Sequence, residues 1–173
     1  MRSLTAAVSG LLLLVPSPLL SQAPRWVIRG DTAGAPAGCN AGAGINAVDR
    51  WFAAYNRADS AGLARVMSKR GFVVSTGRFT RGESFRRIES FSVLVAYVRE
   101  RARHHERLML DSVTFYGWVH GGGRALGFMP HYVRAADDLG LKPLHGVGKA
   151  SYLCGEGIHV LNLAPRPAVM GGR

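Results

Sequence analysis

Acidic residues are scarce in this chain: 11 Asp and Glu stand against 22 Lys and Arg, a formal net charge of +11. Only two cysteines are present, too few for a disulfide scaffold. Charged residues make up 19% and hydrophobic ones 47%, a composition that excludes intrinsic disorder and a coiled coil. The 173 residues suit one domain rather than two. A single long apolar run, Leu11 to Leu20, reaches half of the ~20 residues a spanning helix needs. Pro16 and Pro18 also break it as a helix. There is no Gly-x-Ser-x-Gly elbow, and Gly121-Gly122-Gly123 lacks the Lys and Ser/Thr of a phosphate-binding loop. The histidines show no ligand spacing. His104 and His105 would diverge by about 100° on a helix, and His120, His145 and His159 are scattered. No metal and no cofactor is expected.

What is present begins with a secretory signal over 1–23. Arg2 is its basic region, Leu11 to Leu20 its apolar region and Ser21-Gln22-Ala23 its cleavage site. The expected location is therefore secreted or periplasmic, where disulfides persist, and Cys39 and Cys154 are the only pair that can form one. Residues 24–45 are rich in Gly and Ala and read as a linker, and 165–173 reads as a frayed tail.

The expected domain spans 46–164. Asn46 is placed to cap a helix, with Asp49 three residues on. Val48, Trp51, Phe52 and Tyr55 make one apolar stripe at i, i+3, i+4 and i+7. Asn56 to Asp59 break that helix, and Asp59 caps a second helix with Leu63, Val66 and Met67 buried. Phe72 to Ser75 reads as a short strand, residues 77–89 as a loop, and a third helix starts near Ser90. Its inner stripe is Phe91, Leu94, Val95, Val98 and Ala102. The period then changes to two. Leu108, Leu110, Ser112, Thr114, Tyr116 and Trp118 are expected on one face, and Met109, Asp111, Val113, Phe115 and Val119 on the other. A second long strand covers 124–135, Asp137 to Pro143 turn the chain, and a hairpin over 144–163 turns at Gly155-Glu156-Gly157. Helices first, then an antiparallel run of strands, means an α+β fold with the helices on one face of a curved sheet.

The opening from Ala47 to Leu63, with its amphipathic helix and the Asn56-Arg57-Ala58-Asp59 break, resembles the nuclear transport factor 2-like superfamily in its SnoaL-like and ketosteroid-isomerase-like branch. Arg134 to Leu139, followed by Gly148-Lys149-Ala150, is similar to secreted bacterial members without an assigned activity. The resemblance implies a cone: a strongly bent antiparallel sheet wrapped over a long helix, with a pocket at the open end. It also implies a homodimer through the sheet face as a possible assembly. Ketosteroid isomerase places a Tyr on the first helix and an Asp on the first strand, and the matching positions here are Trp51 and the neighbourhood of Ser75. Trp51 has no phenol proton to share, and Ser75 is no base near neutral pH, so that isomerase mechanism is not expected.

The leading expectation is an exported domain binding an apolar small molecule in an aromatic pocket formed by Trp51, Tyr55, Tyr116, Trp118, Phe128 and Tyr132. The second is a cofactor-free isomerase, lyase or cyclase. In it His131 acts as general acid or base, or Asp111 acts as base from an apolar face. The third is an interaction module that pairs through its sheet. Between Arg57 and Arg107 twelve cations face five acids. With no aromatic-interleaved groove, this charge reads as a solvated surface weakly attracted to anionic envelope material, and nucleic acid is not an expected partner.

Overall fold

The computed structural model describes residues 25–28, 39–76, 85–119, 125–136 and 141–165. The signal expected over 1–23 and the turn expected at Gly121–Gly123 lie outside the described residues, as does the tail expected over 165–173 apart from Pro165, which ends β7.

Among the described residues three helices, α1 (Ala41–Asn56), α2 (Ser60–Val66) and α3 (Phe91–Arg103), pack on one seven-stranded sheet. The strands are β1 (Arg25–Ile28), β2 (Val73–Thr76), β3 (Arg86–Ile88), β4 (Glu106–Val119), β5 (Ala125–Ala136), β6 (Leu141–Leu153) and β7 (Gly157–Pro165), in the order β1-β4-β5-β6-β7-β2-β3. The four long strands β4 to β7 form the antiparallel meander that the period-two pattern predicts. The sheet as a whole is mixed, because the short β1 and β2 join its flanks in parallel with β4 and β7.

The first helix starts earlier than Asn46. Its cap is Asn40, whose side-chain Oδ1 accepts from the Gly42 N–H at 2.7 Å. The stretch 24–45 is thus not a linker throughout: it contributes β1 and the first turn of α1. Tertiary anchors overcome its poor helix propensity. The Cys39–Cys154 disulfide, with Cα atoms 5.0 Å apart, ties the chain just ahead of the cap to the turn between β6 and β7. A Cβ at Gly44 would fall on the Phe128 ring, so glycine lets the helix lie directly on β5. The second cap is as expected, with Asp59 Oδ1 accepting from Gly62 N–H at 2.8 Å. The third helix follows Ser90, whose hydroxyl bonds Ser92 and not the helix backbone. Part of the loop expected over 77–89 is β3, which pairs with β2.

The alternation expected along β4 changes phase twice. Asp111 is an extra residue between the Leu110–Tyr132 and Ser112–His131 pairs, and Tyr116 is extra between Phe115–Phe128 and Gly117–Gly127. Each bulge moves the next residues to the opposite face and bends the strand. Leu108 therefore points into the core before the first bulge, and Val113 and Phe115 do so after it, beside Phe128 and Tyr132 of the regular β5. The helices fill the concave side. Trp51 stacks on Tyr55 at 5.3 Å, Phe52 tilts against Tyr132 at 5.6 Å, and Phe115 meets Phe128 at 5.5 Å.

The disulfide closes a sequence separation of 115 residues, for which chain entropy gives about 4–5 kcal/mol. Denaturant titration of oxidised and reduced protein should show a loss of that order, and Cys39→Ser with Cys154→Ser should reproduce it. Equal midpoints in all three forms would show that the bridge contributes no stability.

Candidate functional site

A buried polar cluster joins three layers of the fold. Glu106, the first residue of β4, has a side chain only 2% exposed. Its Oε1 accepts from the Tyr55 hydroxyl at 2.6 Å. Its Oε2 accepts from Arg134 Nη2 of β5 at 2.6 Å and pairs with Arg101 Nε of α3 at 2.9 Å. Local geometry brings these groups together. The chain leaves α3 through His105 at φ 49°, a left-handed residue that reverses direction and returns Glu106 beside Arg101. Asn56 fastens the end of α1 to the same strand: its Nδ2 donates to Leu108 O at 2.9 Å and its Oδ1 accepts from Leu108 N at 2.8 Å.

Tyr97 of α3 extends the cluster outward. The Arg101 guanidinium lies 5.7 Å and that of Arg86 5.8 Å from its ring centre. Burial raises the Tyr97 phenol above its ordinary pKa, opposed in part by Arg101. Burial raises Tyr55 well above its usual value, reinforced by the phenol of Tyr97 and the carboxylate of Glu106. Tyr132 is also pushed up by burial, with Arg134 opposing.

Tyr97 also lines a pocket of about 290 Å³ between α3 and β3. Ile88 and Tyr97 are its buried wall, Val93 and Ala96 continue the apolar surface, and Arg86, Arg87 and Glu100 carry the charges. Among the described residues no group of three His, Cys, Asp or Glu side chains is placed to hold a metal ion.

The residues picked out by sequence fall in three places. Trp51, Tyr55, Phe128 and Tyr132 sit together in the closed core, each no more than 3% exposed, and do not line an open mouth. Tyr55 enters the polar cluster through Glu106, and the Trp51 Nε1–H has no acceptor among the described residues. Tyr116 is 43% exposed, and its ring lies over Gly127, on the face of the sheet away from the helices. His131 occupies that same outer face, out of phase with the buried Tyr132 and Phe128, and Asp111 is the exposed residue of the first bulge. Neither lines the pocket between α3 and β3. Trp118 of β4 pairs with Leu126 of β5, and its side chain lies outside the described residues. Cys39 and Cys154 are bridged.

The residues that sequence reading missed are Glu106, Arg101, Arg134, Tyr97, Arg86 and Arg87. Two of them carried a signal. Glu106 is in phase with Leu108 and Leu110, and Arg134 with Tyr132 and Phe128, so opposite charges occupy the inward positions of neighbouring strands.

No family model and no curated protein sequence matches the chain. Solved structures do. A protein of unknown function with a cystatin-like fold from Methylobium petroleophilum superposes with a TM-score of 0.58 at 12% identity, over 78% of this chain and 84% of that one. An NTF2-like protein with a cystatin-like fold from Novosphingobium aromaticivorans gives 0.51 at 9% identity, over 73% and 81%. The orange carotenoid protein of Anabaena (Nostoc), in a structure binding canthaxanthin, gives 0.55 at 12% identity, over 73% of this chain and 37% of that one. The chain therefore has the NTF2-like, cystatin-like α+β fold.

Replacing Glu106 by Gln removes the carboxylate that two guanidiniums and a phenol share. The expected cost is about 3–5 kcal/mol in denaturant unfolding, against about 1–3 kcal/mol for Tyr55→Phe. A Glu106→Gln protein within about 1 kcal/mol of the parent would remove the cluster from the stability account. The raised phenols also set an alkaline limit. Their contribution is complete below the unfolded tyrosine pKa of about 10 and is lost as pH rises from there through the folded values. In a protein carrying Tyr116→Phe and Tyr152→Phe, which leaves only these three phenols, phenolate absorbance at 295 nm should therefore rise together with loss of the helical circular-dichroism signal. Full ionisation of the tyrosines in a folded chain would contradict this.

Proposed function

We propose that this chain is an exported small-molecule-binding domain whose site is the pocket between α3 and β3. The observation that carries the reading is the junction at Tyr97: one ring lines the pocket and, with Arg101, abuts the buried Glu106 cluster. The aromatic interior that sequence favoured is packed shut, so the ligand is assigned to the open pocket and not to the space around Trp51. The lining joins an apolar wall to a few charged groups, Arg86, Arg87 and Glu100, the usual composition of a binding site. The orange carotenoid protein, 37% of which matches this chain, binds canthaxanthin, and that likeness supports a small-molecule reading.

Export is part of the proposal. The signal-like pattern of Arg2, Leu11 to Leu20 and Ser21-Gln22-Ala23 supports it, and so does a disulfide that an oxidising compartment preserves. No helix among the described residues is long and apolar enough to cross a membrane.

The pocket can be tested by filling it. Ala96 is exposed on the pocket side of α3, and leucine suits a helix. In a fluorine NMR screen with neutral aromatic fragments, hits should bind the parent and lose at least about tenfold in affinity to Ala96→Leu, about 1.4 kcal/mol. Hits that bind both proteins equally would place the ligand elsewhere and end the reading.

A further inference from the structure

We infer that the α3–β3 pocket takes an amphiphilic monocarboxylate of about ten non-hydrogen atoms, its chain on the apolar wall and its carboxylate at Arg86. This rests on the pocket being the binding site. Its size follows from volume: 290 Å³ at about 30 Å³ per water-sized group leaves room for about ten such groups.

The chemistry follows from the lining. Ile88, Val93, Ala96 and the Tyr97 ring offer one continuous apolar surface. The charges around it are unequal, two guanidiniums against the single carboxylate of Glu100. Arg87 is already engaged outside the pocket, with Nε donating to Glu89 Oε1 at 2.6 Å. Arg86 is held differently. Its Nη1 stands 3.6 Å from Glu100 Oε2, beyond hydrogen-bond distance, and both side chains are about half exposed. Such a pair contributes little and exchanges readily. A ligand carboxylate can meet the guanidinium fork through two short parallel bonds, a geometry the Glu100 contact lacks. Arg86 also stays over the Tyr97 ring, which orients it towards the apolar wall. The wider field has the same sign, since the chain carries a net charge of +11. An ammonium group in this pocket would meet Glu100 at the cost of repulsion from Arg86, and a neutral head group would gain no charge-assisted bond.

The test uses three probes of matched length, octanoate, octanol and octylamine, titrated into the disulfide-bonded protein at low ionic strength. Chemical shifts of the Val93, Ala96 and Tyr97 amides are followed. Octanoate should bind at least about tenfold tighter than octanol, and octylamine weaker than either. Arg86→Gln should bring octanoate to the level at which the same variant binds octanol. Glu100→Gln removes the competing carboxylate and should tighten octanoate. This second variant decides the case if Arg86→Gln does not fold. Equal binding of octanoate and octanol, or tighter binding of octylamine, would overturn the carboxylate assignment while leaving the pocket as the site. Failure of all three probes to move the pocket amides would overturn the carboxylate assignment and the pocket reading together.

Discussion

One carboxylate holds the layers of this protein in register. Glu106 receives a phenol from α1, a guanidinium from α3 and a guanidinium from β5, all within 2.9 Å. A buried charge is costly unless its partners are close and correctly aimed, so each of these elements is constrained by the same point. The constraint carries outward. Arg101, held by Glu106, lies against Tyr97, and Tyr97 forms the wall of the pocket. The position of the pocket wall is therefore set by a charge that solvent scarcely reaches.

The sheet had to bend for this arrangement to exist. An unbroken β4 would keep one set of alternate residues facing the helices along its whole length. The extra residues at Asp111 and Tyr116 turn the strand and switch that set, so Leu108 and Phe115 both reach the core from positions of opposite parity. The disulfide performs a related task at the other end of α1. It holds a glycine- and alanine-rich turn on Phe128 that would not be helical by itself.

Much of the frame was legible beforehand. The Val48–Trp51–Phe52–Tyr55 stripe, the Asp59 cap, the start of α3 after Ser90, the turn around Gly155 and the four long strands are local patterns of period, cap and turn. The site was much less legible. Aromatic residues at helix and strand spacing look the same whether they line a ligand or fill a core, and here Trp51, Phe128 and Tyr132 fill it. His131 looked central because it lies in the middle of a strand, but position along a strand does not specify a face until the register is known. Glu106 and Arg134 stood in phase with apolar neighbours and were the overlooked clue.

The sequence by itself determined the fold class, the single cysteine pair, the amphipathic helices and the basic surface, because each follows from composition or from neighbours along the chain. Tertiary structure decided where α1 begins, that short strands join both flanks in parallel, which residues of β4 face inward, and which polar groups meet. Those outcomes depend on contacts such as Tyr55 with Glu106, separated by 51 positions in the chain and by 2.6 Å in space. No local period encodes an encounter of that kind; packing of the whole sheet against its helices creates it.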